Sequence, residues 1–373
     1  MRIFRTTVIV TLLITISGCT GPFRTLTPEM VRTDLEGVRE RYFVPSLGVA
    51  EVTADDITTY GPVGKAFVDK NIPVTADSLY QLGSCTKAMT DTALAKLMQN
   101  NNKVSWDTRL LDIFPEFAAT AKPAYRDVTL GDIASQQAGF PAGGDEATWL
   151  SLRNYKGSRA QYLVEVLQKP ARIRRGRYYY SNIGYAALGA VIERETGLSY
   201  RQAMNKLLFE PLGVKGYIGF PKDFGADEPW GNTAYWGAAA PVPAAYEFIP
   251  DVLGPAGIVT MNLRDFARFL QLHLRGLLGR DDAGFSADMI RQLHQVRVMT
   301  RGPFDQGYAA GWLVEKFNGE TIHWHNGSAG SFYVFMAINP ARKKGVVIVT
   351  NVGPLLGERV SLDIMERMLT GGK

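Results

Sequence analysis

Ser84 and Lys87 stand three residues apart at the start of a run with helical spacing. The apolar residues between positions 89 and 98 recur every three to four residues, which predicts one face of a helix. The serine and the lysine would then adjoin on that helix. A serine hydroxyl becomes a nucleophile when a base removes its proton, and an amine with a pKa lowered by burial can be that base. A helix N-terminus also directs backbone N–H groups at a developing oxyanion. This stretch therefore predicts a nucleophile, its base and half of an oxyanion hole.

The same stretch has two plainer interpretations. Ser84 can be a helix cap followed by a surface lysine, because Ser-x-x-Lys arises by chance in many chains. Cys85 is a competing nucleophile, but it lies about 100° around the helix from Ser84 and does not face Lys87. We interpret Cys85 as a buried, unreactive thiol. The catalytic interpretation therefore depends on partners elsewhere in the chain.

Tyr180 and Asn182 are two residues apart, just before a second helical stretch. Alternate side chains of an extended segment point the same way, so both can face Ser84. A tyrosine held near Lys87 can exist partly as phenolate and shuttle protons. The alternative is an aromatic run that packs on the core, with Asn182 as a helix cap.

Gly327 and Ser328 follow His325 in a stretch where a β-strand is favoured. Because Gly327 has no side chain, a substrate can lie close to the strand backbone, and the N–H of Ser328 can be the second oxyanion donor. The alternative is a hairpin turn at Asn326-Gly327, since Asn-Gly is a strong turn dipeptide.

Two charged or metal-binding patterns receive plainer interpretations. His323 and His325 form His-x-His, but no further histidine or acidic cluster lies nearby in the sequence, so we predict no metal. The arginines between positions 172 and 177 are interpreted as a solvated face, although they could attract an anionic substrate or lipid headgroups.

The composition is that of an ordinary globular protein, with 373 residues, 46% apolar and 21% charged. The net charge is +5, and removal of Arg2 and Arg5 with a leader would leave +3, which is too weak to indicate a nucleic-acid partner. We expect a small-molecule or peptide substrate and no cofactor.

The N-terminus has the pattern of an export signal. Arg2 and Arg5 precede an apolar stretch from Val8 to Ile16 that is too short to span a bilayer comfortably, and Cys19 follows Ser-Gly. This resembles a bacterial lipoprotein signal, which implies removal of residues 1–18, lipidation of Cys19 and a tether over 19–27. The expected location is the outer face of a bacterial membrane, toward the periplasm or cell exterior. Cys85 would then have no disulfide partner, because the chain has only two cysteines.

Residues 28–373 are predicted to form one domain of two lobes. The early and late strands indicate a shared antiparallel sheet in an α/β lobe of about 28–80 and 300–373, and residues of about 81–299 indicate a helical lobe. The segment 221–257 is too long for a passive connection and is predicted to form a wall or lid of a site. Predicted strands are 47–53, 64–68, 309–317, 331–339 and 345–351; predicted helices begin near 28 and cover 84–99, 128–134, 184–196, 200–209, 263–278 and 356–369.

Taken together, the motifs resemble the penicillin-recognising serine hydrolases: Ser-x-x-Lys at 84–87, Tyr-x-Asn at 180–182, and a strand that carries His-Asn-Gly at 325–327. Tyr-x-Asn is similar to the branch of class C β-lactamases, related DD-peptidases and β-lactamase-like esterases. The resemblance covers about residues 36–370 and includes Val128-Thr-Leu-Gly-Asp-Ile, Phe209-Glu-Pro-Leu-Gly and Ala256-Gly-Ile-Val.

The resemblance implies an α+β, β-lactamase/transpeptidase-like fold, in which helices flank an antiparallel sheet and the active site lies between the sheet and an all-helical lobe. Ser84 would be acylated, Lys87 and Tyr180 would act together as the base, and Asn182 would hold the substrate amide. The N–H groups of Ser84 and Ser328 would form the oxyanion hole.

The sequence also departs from the family pattern. His325 stands where class C β-lactamases have a lysine, and a neutral histidine gives a substrate carboxylate less positive charge. Histidine there is similar to some DD-peptidases and esterases, and it predicts better use of anionic substrates near pH 6 than near pH 8. Gln136-Gln137-Ala138 replaces a stretch that usually reads His-Thr-Ser, and the turn before Tyr180 is one residue shorter than usual.

The leading hypothesis is an envelope-anchored serine hydrolase that works through an acyl-enzyme. D-amino-acid peptides, β-lactams and simple esters or amides remain open as substrates. The alternative is a non-catalytic or slowly turning over penicillin-binding sensor lipoprotein, which would have no need to retain Lys87 and Tyr180 beside Ser84.

Overall fold

The computed structural model describes residues 26–101, 103–235, 238–300 and 306–370. The predicted leader, Cys19 and most of the predicted tether lie outside these residues. Within them, every helix is either too short or too polar to cross a bilayer.

The described residues form thirteen α-helices: α1 (Pro28–Thr33), α2 (Leu35–Arg41), α3 (Thr86–Asn100), α4 (Leu110–Ile113), α5 (Leu130–Ala134), α6 (Glu146–Leu152), α7 (Arg159–Leu167), α8 (Asn182–Thr196), α9 (Tyr200–Met204), α10 (Glu210–Leu212), α11 (Leu263–Leu277), α12 (Ala287–Leu293) and α13 (Pro354–Thr370). A π-helical segment, Asn205–Phe209, joins α9 to α10. Two short 3₁₀ segments bear on the candidate site: Gly83–Cys85, just before α3, and Asp251–Ala256.

The strands of the described residues are β1 (Ser46–Val52), β2 (Ile57–Gly64), β3 (Tyr80–Gln81), β4 (Tyr217–Ile218), β5 (Asn232–Tyr235), β6 (Ala238–Pro241), β7 (Val259–Met261), β8 (Val298–Met299), β9 (Gly307–Tyr308), β10 (Leu313–Phe317), β11 (Glu320–Gly327), β12 (Tyr333–Asn339) and β13 (Lys344–Thr350). Eight of them form an antiparallel sheet in the order β2-β1-β13-β12-β11-β10-β9-β8. The strands β3-β7-β4 and β5-β6 form two further, small sheets.

The central strands are buried on both faces, and alternate residues enter two different cores. On β12, Val334 and Met336 pack into the larger core with α3, α8 and α11, whereas Tyr333 and Phe335 pack into a second core with α1, α2 and α13. This division follows from the two-residue period of a strand. The sheet is therefore a layer between helices, and the predicted α+β architecture is confirmed.

Helix α3 lies inside the larger core, and its first ten residues are buried on all sides. It packs against α8, α9 and α12. Several of these buried residues are polar, and burial of polar groups is costly unless they are hydrogen-bonded. Thr90 bonds Tyr200 and the carbonyl of Pro255, and Thr86 accepts a bond from the Val259 N–H. These bonds fix the helix that carries Lys87.

Two expectations differ from the structure. The strand predicted at 64–68 is wrong, because the strand is β2 and ends at Gly64. Pro62 argued against a strand at this position in the sequence. The structure accommodates it because β2 is an edge strand, where a proline is tolerated. Helix α11 falls in the part assigned to the helical lobe, but it packs against β1 and β13 of the large sheet. Its apolar stripe could not reveal which layer it covers.

Candidate active site

Ser84 lies in the 3₁₀ turn that leads into α3, so it stands at the N-terminal end of a buried helix. The turn is held from both sides. The N–H of Gly83 donates to the side chain of Gln81 at 2.9 Å, and the N–H of Leu82 donates to the carbonyl of Val259 at 2.8 Å. The predicted nucleophile is therefore fixed by the backbone around it.

Lys87 is completely buried, and its Nζ lies 3.0 Å from Ser84 Oγ. It also donates to the carbonyl oxygen of Ala256 at 2.7 Å. Burial lowers the pKa of this amine to about 7, because a charged ammonium is poorly solvated there. The amine can therefore be neutral at physiological pH and accept the serine proton. The sequence predicted this pair but not Ala256, the residue that orients it.

Tyr180 completes the group around the serine. Its ring lies beside the amine, with Lys87 Nζ 4.7 Å from the ring centroid, and the neighbouring Ser84 side chain acts to lower the pKa of Tyr180. Burial raises its pKa well above the ordinary value, because the phenolate is disfavoured. The predicted partial phenolate is therefore wrong for the free enzyme. Tyr180 retains its proton and can act as a donor or relay beside a neutral Lys87.

The end of β11 approaches the Ser84 turn so closely that glycine is required on both sides. A Cβ on Gly327 would lie 1.9 Å from the carbonyl oxygen of Leu82 and 2.9 Å from the nitrogen of Ser84. A Cβ on Gly83 would lie 2.2 Å from the nitrogen of Ser328. The backbone nitrogens of Ser84 and Ser328 therefore both lie at this close approach, where two donors of an oxyanion hole are expected. Asn326-Gly327 is the end of a strand, so the alternative of a hairpin turn is wrong.

Asn182 is the first residue of α8, and Ser181 rather than Asn182 is its cap. Its backbone N–H donates to the carbonyl of Ala142 at 2.7 Å, and its Nδ2 lies 3.4 Å from the carbonyl of Gly143. Gln136, in the stretch that departs from the family pattern, supports this segment because its Oε1 accepts from the N–H of Ser181 at 2.7 Å.

Ser84, Asn182 and Ser328 line one small cavity that is open to solvent. Its walls come from the helical part and from the segment 221–257, which confirms the prediction that this segment forms a wall. The side chains that line it are all neutral, and the apolar ones were not singled out from the sequence. The remaining lining residues are Gly83, Trp149, Ile249, Leu253, Ala256 and Gly257.

His325 does not line this cavity, which corrects its expected role as a substrate ligand. Its side chain is buried, with Nδ1 2.5 Å from the carbonyl oxygen of Asn326 and Nε2 3.2 Å from the hydroxyl of Tyr308. Burial, and then the nearby charge of Lys87, lower its pKa to about 3. The residue is therefore a neutral part of the strand, and it offers no charge to a carboxylate between pH 6 and 8.

Cys85 is buried, and its Sγ lies 3.5 Å from the carbonyl oxygen of His325. Burial raises the pKa of this thiol well above its ordinary value, so the thiolate does not form at neutral pH. The prediction that Cys85 is buried is confirmed.

Known proteins are similar to this chain in sequence and in fold. Penicillin-binding protein 4 of Amycolatopsis lactamdurans is 26% identical over 331 residues, which cover 85% of this chain and 84% of that protein. Unguisins hydrolase ungD' of Aspergillus campestris is 27% identical over 330 residues, which cover 84% of this chain but only 59% of that protein. The structure of the octameric penicillin-binding protein homologue from Pyrococcus abyssi superimposes with a TM-score of 0.76 at 22% identity, over 92% of this chain and 78% of that one, and so shares the fold.

A serine beside a buried lysine, held between an antiparallel sheet and helices, is the arrangement typical of the penicillin-recognising serine hydrolases. The family model described as Beta-lactamase matches residues 31–365, and the chain therefore belongs to the β-lactamase family.

Proposed function

We propose that this protein is a serine hydrolase that forms an acyl-enzyme on Ser84 and acts on neutral esters or amides with an apolar acyl part. The observation that carries the proposal is the pair of Ser84 Oγ and Lys87 Nζ, 3.0 Å apart, with the amine buried and its pKa lowered to about 7. The alternative of a non-catalytic sensor is not favoured, because the base and Tyr180 both stand beside the serine.

In the acylation step, neutral Lys87 accepts the proton of Ser84 Oγ while this oxygen bonds to the substrate carbonyl carbon. The negative charge on the carbonyl oxygen is stabilised by the N–H groups of Ser84 and Ser328. The bond to the leaving group then breaks, and that group takes a proton from the Lys87 ammonium through the Tyr180 hydroxyl. A water molecule gives its proton to Lys87, bonds to the acyl carbon and releases Ser84, which regains its proton.

The cavity favours uncharged substrates, since all of its lining side chains are neutral. Trp149, Ile249 and Leu253 offer apolar surface to an acyl group, whereas Asn182 offers an amide for a carbonyl or N–H of the substrate. A substrate carboxylate would meet no cationic side chain among the described residues that line the cavity. Simple esters and neutral amides are therefore proposed ahead of β-lactams and of D-amino-acid peptides with a free carboxylate.

A fluorescent fluorophosphonate and a fluorescent penicillin test the acyl-enzyme. We expect the fluorophosphonate to label the wild type and Cys85→Ala, and to leave Ser84→Ala unlabelled. The Cys85→Ala variant is a matched control, since it alters the neighbouring residue and leaves the serine intact. Absence of label with both probes on folded wild type would overturn the proposal.

A substrate comparison tests the preference for neutral compounds. We expect the highest kcat/KM for a short-chain nitrophenyl ester, relative to a chromogenic cephalosporin and a D-Ala-D-Ala peptide. Faster turnover of either carboxylate-bearing compound would contradict the substrate preference and leave the acyl-enzyme mechanism intact.

The site of action is proposed to be the outer face of a bacterial membrane, with a lipid on Cys19. The proposal rests on the position of Cys19 after an apolar leader. Labelling of cells with a clickable palmitate analogue should mark the wild type in the membrane fraction, and Cys19→Ala should lose the label. Equal labelling of the two proteins would contradict the anchor.

A further inference from the structure

Asp91 lies four residues after Lys87 on α3 and is completely buried. Positions four apart on a helix adjoin, so the carboxyl lies on the same side as the proposed base. Nothing in the reaction described above uses it. A buried carboxylate beside a base is costly, and it would also hold a proton on that base.

The hydroxyl of Tyr185 meets two oxygens at once. It lies 2.6 Å from Asp91 Oδ2 and 3.0 Å from the carbonyl oxygen of Ala134. A phenol has one proton to donate, and a backbone carbonyl can only accept. Two separate hydrogen bonds form when Tyr185 donates to Ala134 and a protonated Asp91 donates to Tyr185, whereas an ionised Asp91 would leave the single Tyr185 proton shared between two acceptors.

The second carboxyl oxygen supports the same assignment. Among the described residues, Asp91 Oδ1 is buried and has no hydrogen-bond partner. An ionised carboxylate would need donors on both oxygens, whereas the carbonyl oxygen of a neutral acid can be left bare at lower cost.

The charged and titratable groups around Asp91 do not compensate an ionised carboxylate. Within the described part of the chain, no salt bridge joins Arg297 to Asp91; Arg297 acts to lower the pKa of Asp91, but burial lowers the pKa of Arg297 itself. Burial likewise raises the pKa of Asp91 well above its ordinary range, against the weaker effects of its neighbours. The groups that face it are Lys87 on α3, Tyr185 on α8, Tyr200 on α9, Tyr308 on β9, and Arg297.

We propose that Asp91 is a positioning residue held as a neutral carboxylic acid. Its hydrogen bond to Tyr185 fixes the Tyr185 ring, whose centroid lies 5.4 Å from Lys87 Nζ. Because Asp91 is neutral, the Lys87 amine has no counter-ion on this side. An ionised Asp91 would raise the pKa of Lys87 and keep it protonated. The proposal rests on the proposed role of Lys87 as the base.

The Asp91→Asn variant separates the two protonation states through the pH profile of kcat/KM for a neutral ester. Because a carboxamide is a weaker donor, we expect a few-fold lower kcat/KM, but the midpoint of the acid limb should stay where it is in the wild type. If Asp91 were ionised, removal of its charge would move that midpoint to lower pH by about one unit, given a charge–charge effect of this size for adjacent groups. Such a shift would overturn the proposal.

Infrared spectroscopy tests the proton without relying on activity. The difference spectrum between wild type and Asp91→Asn at neutral pH should contain the carbonyl band of a protonated carboxylic acid. A carboxylate band in its place would overturn the proposal, and the measurement is equally valid on a Ser84→Ala background if no turnover is found. The failure of the proposed hydrolase function would therefore be distinguishable from the failure of this inference.

Tyr185→Phe gives an independent check should Asp91→Asn not fold. Loss of the acceptor hydroxyl should shift the acid carbonyl band toward that of an acid with a free O–H, with the band retained. Absence of the acid carbonyl band from the spectra of both wild type and Tyr185→Phe would contradict a neutral Asp91.

Discussion

Lys87 Nζ stands between Ser84 Oγ, at 3.0 Å, and the carbonyl oxygen of Ala256, at 2.7 Å. The carbonyl can only accept, so one N–H of the amine is committed to Ala256. This leaves the nitrogen lone pair of the neutral amine free to turn toward the serine hydroxyl. The 3₁₀ segment that ends at Ala256 therefore orients the base, although it contributes no side chain to the reaction.

Replacement of Ser84 or Lys87 by alanine should lower kcat for ester hydrolysis by several orders of magnitude. A nucleophile and its base fail as a unit, so the double variant should be little slower than either single variant. Steady-state and single-turnover kinetics of the three proteins, with circular dichroism as the control for folding, measure this. Losses that multiply in the double variant would show that the two residues act separately.

The pH dependence of kcat/KM for a neutral ester should have an acid limb with a midpoint near the lowered pKa of Lys87, about 7. Below this pH the amine is protonated and cannot accept the serine proton, so the rate should rise with pH through the midpoint and then level off. A neutral ester is used because it adds no ionisation of its own. A midpoint near pH 4 to 5, the range of an ordinary carboxyl group, would instead point to a carboxylate base.

The sequence was sufficient to find residues that the structure brings together at the candidate site, because Ser84, Lys87, Tyr180 and Asn182 stand in short motifs. It was insufficient for the environment of those residues. Whether Tyr180 is a phenol or a phenolate depends on its burial, which arises from packing between distant segments. The direction of the His325 side chain likewise depends on Tyr308, a residue that the motif does not include.

The same limit applies to the fold. Strands β12 and β13 were predictable because they are buried on both faces and read as continuous apolar runs. The edge strand β2 was not, since an edge strand is half-exposed and tolerates Pro62. Trp149 and Ile249 reach the cavity from separate segments, and only their tertiary arrangement brings them together.

Gly327→Ala and Ser328→Ala change neighbouring residues, but only the first should cause a large loss of kcat. A Cβ at position 327 would lie 1.9 Å from the Leu82 carbonyl oxygen and must displace the oxyanion hole. We expect kcat to fall by on the order of 100-fold or more, as when an oxyanion donor is lost. Ser328→Ala retains the backbone N–H and should keep kcat within a few-fold of the wild type. A large loss in Ser328→Ala would assign the function to its hydroxyl instead.

The ratio of kcat/KM for a neutral ester to that for a cephalosporin should be constant from about pH 6 to pH 8, since the pKa of His325 is lowered to about 3. This reverses the expectation from the sequence that a protonated His325 attracts anionic substrates near pH 6. Protonation of Lys87 lowers kcat/KM for both substrates by the same factor, so this effect cancels in the ratio. A ratio that falls toward pH 6 would show that a histidine charge reaches the substrate.

His325→Lys should lower the thermal midpoint rather than improve cephalosporin turnover. The histidine side chain is enclosed between Tyr308 and the strand backbone, so a lysine would place an unpaired charge in a buried position beside Lys87. His325→Gln, which is neutral, is the matched control and should be less destabilised. Improved cephalosporin hydrolysis in a stable His325→Lys would contradict the buried position.

The other three histidines form a chain of hydrogen bonds that runs from α3 to the large sheet. Thr92 donates to the carbonyl of Ala88 at 2.6 Å, so its oxygen accepts from His273 Nε2 at 3.1 Å. His273 Nδ1 then accepts from His294 Nε2 at 2.9 Å, and His294 Nδ1 accepts from His323 Nδ1 at 3.2 Å. His273 and His294 each donate from one ring nitrogen and accept at the other, so both rings are neutral with one assigned tautomer.

These neutral histidines should make the fold less stable in acid. Burial lowers the pKa of His273 to about 3 and that of His323 to about 4, against 6.5 in an unfolded chain, and lowers that of His294 as well. The unfolded state therefore binds more protons between about pH 6.5 and pH 4, and stability present above pH 6.5 is lost as the pH falls, by up to about 1.4 kcal/mol per pH unit for each histidine. Buried acids such as Asp91 and Glu247 have raised pKa values and act in the opposite direction, so the overall dependence of stability on pH does not isolate the histidines.

The measurement is instead the difference between wild type and His323→Gln in the free energy of unfolding by urea at about pH 7, 6 and 5. The variant, which lacks one titrating ring at the partly exposed end of the chain of bonds, should lose less stability on acidification. Identical slopes for the two proteins would mean that His323 binds protons equally in the folded and unfolded states.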